Sequence, residues 1–243
     1  MSIHIVWDWN GTLTDDRQDL LGAVNHTLKG LRAAPIDLAT YQARHVLPVR
    51  RLYTRLVNRP LTDSEWATAQ RDFADFLRHS TPRLRTEAEP LLARVHDLGH
   101  SQSLLSLYPE ELLRGEVQRL GITRFFARID GRRGPDGTKE GVLADHLTAL
   151  PPSIRSRPLL VIGDSLDDAR AAQAVSAQSV LFSGGLEPAE RLRSAGWPVT
   201  GTLDAAVNVG LRRLAARAAP ARPARTSTIP FSPHPPPKGR RHL

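Results

Sequence analysis

The chain of 243 residues contains no cysteine, so disulfides, thiolate metal sites and a cysteine nucleophile are all excluded. No stretch approaches the roughly 18 uncharged apolar residues that a membrane span requires. The opening MSIHIVWDWN has no basic segment and meets an acid at Asp8, so no secretory signal is expected. A cytoplasmic protein with no membrane partner is the simplest expectation. Aromatic residues make up only 5%, and only three of the 33 basic residues are lysine: Lys29, Lys139 and Lys238. Where arginine is the default cation, a retained lysine points to a need for a compact ammonium group, which singles out Lys139. What is present, 40% hydrophobic and 24% charged residues, is ordinary for a globular chain and excludes wholesale disorder or collagen.

The formal charge of +8 is unevenly placed. Residues 205–243 carry eight basic residues and no acidic one, which leaves residues 1–204 neutral overall. From Ala219 onward the chain also holds seven of its 19 prolines. Such a segment cannot build a core, so residues 219–243 are expected to form a disordered basic tail. Nucleic acid is not expected as a partner beyond weak, non-specific contact through that tail.

Residues 3–7 (IHIVW) are apolar and β-branched, end at Asp8, and read as a buried strand. Asn10-Gly11 then gives a strong turn signal. Residues 17–80 show helical periodicity alone, with helices at about 17–32, 39–57 and 62–80. A small all-helical unit is therefore expected over 16–82. Beyond Pro82, helices at about 88–98, 109–120, 139–149, 168–175 and 203–216 alternate with strands at 101–106, 126–130, 158–163 and 179–182. That alternation means βαβ units with right-handed crossovers. It predicts a doubly wound, Rossmann-like α/β core with a parallel sheet, made of residues 1–15 and 83–210.

In an open parallel sheet, ligands bind beyond the carboxyl ends of the strands. Asp8 follows the first strand, Ser106 closes the second, and Lys139 lies after the third. Asp164 follows PLLVIG, with Asp168 four residues later. A hydroxyl, an ammonium and several carboxylates at one sheet edge can bind a divalent cation and a phosphate together. Oxygen ligands suit Mg²⁺. Asp8 could attack phosphorus, while Lys139 and loop N–H groups stabilise the transferring group.

These residues, in this order, resemble the signatures of the haloacid dehalogenase (HAD) superfamily. Asp8-Trp9-Asn10-Gly11-Thr12-Leu13 is similar to the first, Ser106 to the second, Lys139 to the third and Gly163-Asp164-Ser165-Leu166-Asp167-Asp168 to the fourth. The match runs from residue 3 to about 208. A helical insertion directly after the first signature resembles the cap of the phosphoglycolate-phosphatase-like branch. The resemblance implies Mg²⁺-dependent hydrolysis of a small phosphorylated metabolite through an aspartyl-phosphate on Asp8. Asp8, the Asn10 carbonyl and Asp164 would hold the metal. Asp168, with Asp167 as the alternative, would join them or orient metal-bound water or Lys139. Lys139 would neutralise the phosphate and Asp8. Ser106, Leu107, Gly11 and Thr12 would surround the substrate, and Trp9 would either wall the pocket or pack beneath it.

One position departs from that pattern. Family phosphatases carry Asp two residues after the nucleophile, where it protonates the leaving group; here the residue is Asn10. A carboxamide cannot shuttle a proton, and loss of a general acid typically costs about 10²–10⁴-fold in rate. Four readings stay open: a slow or specialised phosphatase, a relative that binds a phospho-ligand or partner without turnover, a C–halogen or C–P bond hydrolase, and an Asn10-Gly11 bond that deamidates to an acid. The C–P case needs a lysine from the helical unit, where only Lys29 is available.

Elsewhere the expectations are structural. His4 should pack beside the sheet, and His45, His79, His96, His100 and His146 should lie at the surface. Arg50, Arg51 and Arg55 either form a solvated helix face or reach an acidic substrate. Asp15 and Asp16 should favour the start of the first helix through its dipole. Ser165 should satisfy its turn or touch the metal shell.

Overall fold

The structure, a computed structural model, describes residues 2–46, 48–81, 83–133 and 138–218. The expected basic tail over 219–243 lies outside the described residues, as does Pro82. Strands β1 (His4–Trp7), β2 (Ser101–Pro109), β3 (Ile129–Arg132), β4 (Leu159–Gly163), β5 (Gln178–Phe182) and β6 (Val199–Thr200) form one sheet in the order β3-β2-β1-β4-β5-β6. Every pairing is parallel; His4 stands level with Ser101 on one side and Leu159 on the other. The predicted doubly wound α/β core is therefore present. Its order reverses beside β1, and a crevice opens there at the carboxyl ends of β1 and β4.

All four residues of β1 are buried, which is why its sequence is continuously apolar rather than alternating. One face of the sheet is covered by α5 (Ala88–Asp97), α6 (Glu110–Arg119) and α11 (Leu203–Ala218) around Ile3, Ile5, Leu92, Leu113 and Val207. The other carries α7 (Lys139–Thr148) and α9 (Leu166–Ala174), packed on Val6, Leu105 and Val161. Short helices α8 (Pro152–Arg155) and α10 (Ala189–Ser194) complete the α/β part.

Between β1 and α5 the chain forms four helices: α1 (Arg17–Gly30), α2 (Leu38–Arg44), α3 (Val49–Val57) and α4 (Asp63–Arg78). Their own core gathers Val24, Leu28, Tyr41, Leu52, Tyr53 and Trp66. The single helix expected over 39–57 is divided in two, because Pro48 becomes the N-cap of α3 and cannot continue α2. Thr62 and Glu65 form a reciprocal capping box that starts α4. Two further expectations shift. Phe125 and Phe126 pack into the core from a single turn, so β3 begins only at Ile129. Helix α10 and the two-residue β6 are too short to leave a periodic signal. No helix among the described residues is long and apolar enough to cross a membrane.

Candidate active site

The backbone after β1 turns sharply at residues 9–13, where Asn10 is extended and Gly11 has φ of 74°. A side chain at position 11 would be strained there and would also meet the Asp164 carboxylate at 2.4 Å. The turn aims Asp8 into the crevice. Asp8 Oδ1 accepts from Lys139 Nζ, and Asp8 Oδ2 accepts from Thr12 Oγ1 at 3.1 Å. Lys139 opens α7, and its ammonium also pairs with Asp168 Oδ1 at 2.5 Å. The second Asp168 oxygen accepts from the Ser165 hydroxyl at 2.6 Å and its N–H at 3.1 Å, which caps α9. Asp168 therefore anchors Lys139, and Ser165 satisfies its turn. Asp167 instead pairs with Arg170 at 3.1 Å.

Asp164, just beyond β4, accepts from the Leu186 N–H at 2.5 Å. Ligand oxygens of Asp8, Asp164 and Asp168 all lie within 4.8 Å of one another. Burial pushes the Asp8 carboxyl up to about 7, aided by the Asp168 charge and opposed by Lys139. Burial also raises Asp164 well above the usual range, with the Asp8 and Asp168 charges adding to it. Burial works against the Lys139 ammonium, yet Asp168 and Asp8 outweigh it and its pKa is raised. Three buried carboxylates thus face one ammonium. This donor set is all oxygen and overly negative, and it fits a hard divalent cation.

The Asn10 carboxamide is held at both ends. Its Nδ2 donates to Asp16 Oδ2 at 2.5 Å, and its Oδ1 accepts from Ser106 Oγ at 3.3 Å. Asp16 also accepts from the Gly11 N–H at 2.9 Å and is buried. Asp16 is the N-cap residue of α1, as expected, but its side chain accepts no bond from that helix and braces the Asn10 turn. Asp15 remains half exposed, paired with Arg17.

A cavity of about 170 Å³ lies over these groups, between the four helices and the sheet edge. Asp8, Asn10, Ser106, Leu107, Lys139 and Asp164 are at its floor, as the sequence suggested, and helices α1 to α4 supply much of the opposite wall. Gly11 and Thr12 act from behind Asp8 and do not line it. Trp9 is also absent from the wall. It is fully buried, donating its indole N–H to Glu116 Oε2 at 3.0 Å, because its side chain falls on the α6 side of the sheet. Glu116 also accepts from the Tyr108 hydroxyl at 2.7 Å.

Two further readings change. His146 is buried: its Nδ1 bonds Asp130 at 2.7 Å and its Nε2 bonds Ser103 at 2.7 Å. Ser103 also meets His4 at 2.8 Å, so His4 packs beside the sheet as expected. His45 is half-buried against the cavity, and burial lowers its pKa. Arg50 pairs with Asp63 at 2.7 Å, and neither it, Arg51 nor Arg55 lines the cavity; Lys29 is exposed. Sequence reasoning missed Arg85, whose guanidinium donates to the carbonyls of Thr12, Gly11 and Gly184, each at 2.9 Å. It sits in no periodic segment, and its only signal was its place at the return from the helical unit.

Residues 5–182 match the model of the haloacid dehalogenase-like hydrolase family. A phosphoglycolate phosphatase of Mesorhizobium japonicum is 28% identical over 195 residues, covering 70% of this chain and 78% of the relative. The crystal structure of a protein named as a predicted phosphatase of Clostridium acetobutylicum superposes with TM-score 0.74 at 18% identity, over 88% of this chain and 99% of the other. The Protein Tyrosine Kinase A of Mycobacterium tuberculosis superposes with TM-score 0.66 at 24% identity, over 87% and 97%. At these identities the two structural matches speak for the fold alone.

Proposed function

Because the chain belongs to the haloacid dehalogenase-like hydrolase family, we propose that it is a Mg²⁺-dependent phosphatase of a small phosphorylated metabolite, acting through Asp8, with α1 to α4 as its cap. The observation that carries this reading is the Asp8 carboxylate, held between Lys139 and Thr12 at the floor of a cavity with Asp164 beside it. Asp8, Asp164 and the Asn10 carbonyl would hold the metal ion, which supplies charge neutralisation to the phosphoryl group.

Asp8 attacks phosphorus, the ester P–O bond breaks, and the alcohol oxygen leaves with the bonding pair. It takes its proton from solvent, since Asn10 offers none. Water then attacks phosphorus, the bond to Asp8 breaks, and phosphate is released. Lys139 steadies Asp8 as an anion and neutralises the transferring group. Ser106 meets a phosphoryl oxygen, and the overlying helices exclude bulk water.

Phosphate release from a panel of esters with Mg²⁺ tests this reading. Wild type is expected to turn over, and Asp8→Asn or a chelator to abolish release; an active Asp8→Asn variant refutes it. The Asn10 carboxamide, engaged at both ends, favours one second reading: a binder of phospho-ligands without turnover. That reading requires an inactive wild type whose melting temperature still rises with Mg²⁺ and a fluoride phosphate mimic. The C–P alternative lacks a lysine of α1 to α4 among the described cavity residues.

A further inference from the structure

We propose that the cavity selects the phosphate ester of a phenol, carrying one uncharged aromatic ring, rather than a phosphorylated carboxylate. This rests on the phosphatase reading and names the substrate class for that site.

The first argument is the wall. Opposite Asp8 the helices contribute Leu20, Tyr41, Tyr53, Trp66 and Phe73. Among the described residues, no lysine or arginine of α1 to α4 lines the cavity. A second anionic group on the substrate would be buried against aromatic rings with no cation from those helices beside it. Among the described residues Arg132, on the β3 side, is the arginine of the cavity, and its guanidinium is held by the Leu107 carbonyl and Gln70 Oε1, each at 3.1 Å.

The second argument is independent and concerns the leaving oxygen. Among the described residues, no unpaired carboxylic acid lines the cavity beyond the Asp8 and Asp164 pair. Asn10 is an amide, Lys139 is shared by two carboxylates, Asp167 pairs with Arg170 and Glu187 with Arg191. An alkoxide departs poorly without a proton, whereas a phenolate, whose conjugate acid has a pKa near 10, departs without one. An aromatic wall and a floor without a general acid therefore select the same ester.

Three substrates separate the terms: phenyl phosphate, benzyl phosphate with the same ring on an alkoxide, and 2-phosphoglycolate. With the full chain and Mg²⁺, kcat/KM for phenyl phosphate is expected to exceed that for benzyl phosphate by about 10²-fold, the low end of general-acid effects. Benzyl phosphate should exceed 2-phosphoglycolate by roughly tenfold or more, and phenylphosphonate should inhibit more tightly than phosphonoacetate. Equal rates for the phenyl and benzyl esters, or a preference for 2-phosphoglycolate, overturn the inference while leaving a phosphatase. Release from none of the three with turnover of another ester of the panel overturns this inference alone, and release from no ester of the panel removes the phosphatase reading with it.

Discussion

Replacing Asn10 with aspartate is the direct way to supply an acid, yet the structure predicts that the single change is damaging. Asn10 Nδ2 lies 2.5 Å from Asp16 Oδ2, so Asn10→Asp sets two carboxylate oxygens against each other. Burial already raises the Asp16 pKa, with the Asn10 and Gly11 hydrogen bonds pulling it down. Two carboxylates about 4 Å apart at an effective dielectric near 20 repel by about 4 kcal/mol, or about three pKa units. The pair would therefore keep one proton at neutral pH, and its folded-state pKa would be raised. A raised acid stabilises the fold at low pH and loses that contribution as pH rises. Without Mg²⁺, Asn10→Asp is expected to fall about 3 kcal/mol below wild type at pH 7, with the gap closing toward pH 4. The double variant Asn10→Asp/Asp16→Asn restores one charge and one amide, and should return to within about 1 kcal/mol of wild type. Urea denaturation across pH 4–8 reads all three proteins. A single variant as stable as wild type at pH 7, or a double variant no better than the single, refutes the reasoning.

Other perturbations have equally direct readouts. His4 is buried, and burial, with the His146 and Arg157 charges behind it, lowers its pKa from 6.5 to about 4. The unfolded chain then binds the extra proton between those values, so stability should fall by about 3 kcal/mol as pH drops from 6.5 to 4; denaturation of His4→Gln should show a flatter pH profile, and an unchanged slope counts against it. Arg85→Met removes three hydrogen bonds to the carbonyls of residues 11, 12 and 184; a loss of about 2–4 kcal/mol is expected in the same assay, with Arg85→Lys recovering only part. In Gly185→Ala the new Cβ would meet Asp164 Oδ2 at 2.1 Å; Mg²⁺-dependent turnover should fall at least ~10-fold, and calorimetry should show weaker Mg²⁺ binding.

The polar ends of the strands carried most of the floor of the site into view. Asp8 and Asp164 directly follow buried strands, Ser106 lies in the second half of β2 and Lys139 opens the helix after β3, and parallel topology brings these ends together whatever lies between. The wall was not visible in the same way. Tyr53, Trp66 and Phe73 fall within the helical periodicity of the segments at 39–57 and 62–80, which tells which residues face inward but not whether they face protein or a void. Pairings set by tertiary approach were also hidden. Asp16 looks like a helix-start acid until the turn at Gly11 delivers Asn10 to it. His146 looks like a surface residue until α7 lays it over Ser103 and Asp130.

The crossing points between the two parts of the molecule form a narrow seam. Asp15 N–H donates to the Arg83 carbonyl at 2.9 Å, Arg85 N–H donates to the Leu13 carbonyl at 3.0 Å, and Thr14 and Leu84 form an antiparallel bridge. Outgoing and returning chain are thus fastened side by side, and the Arg85 side chain secures the turn beneath them. Hinging about this seam would raise the aromatic ceiling with Trp66 and Phe73 on it, while Asp8, Thr12 and Lys139 keep their alignment. Such a hinge would let ligands enter and leave while the reactive centre stays assembled.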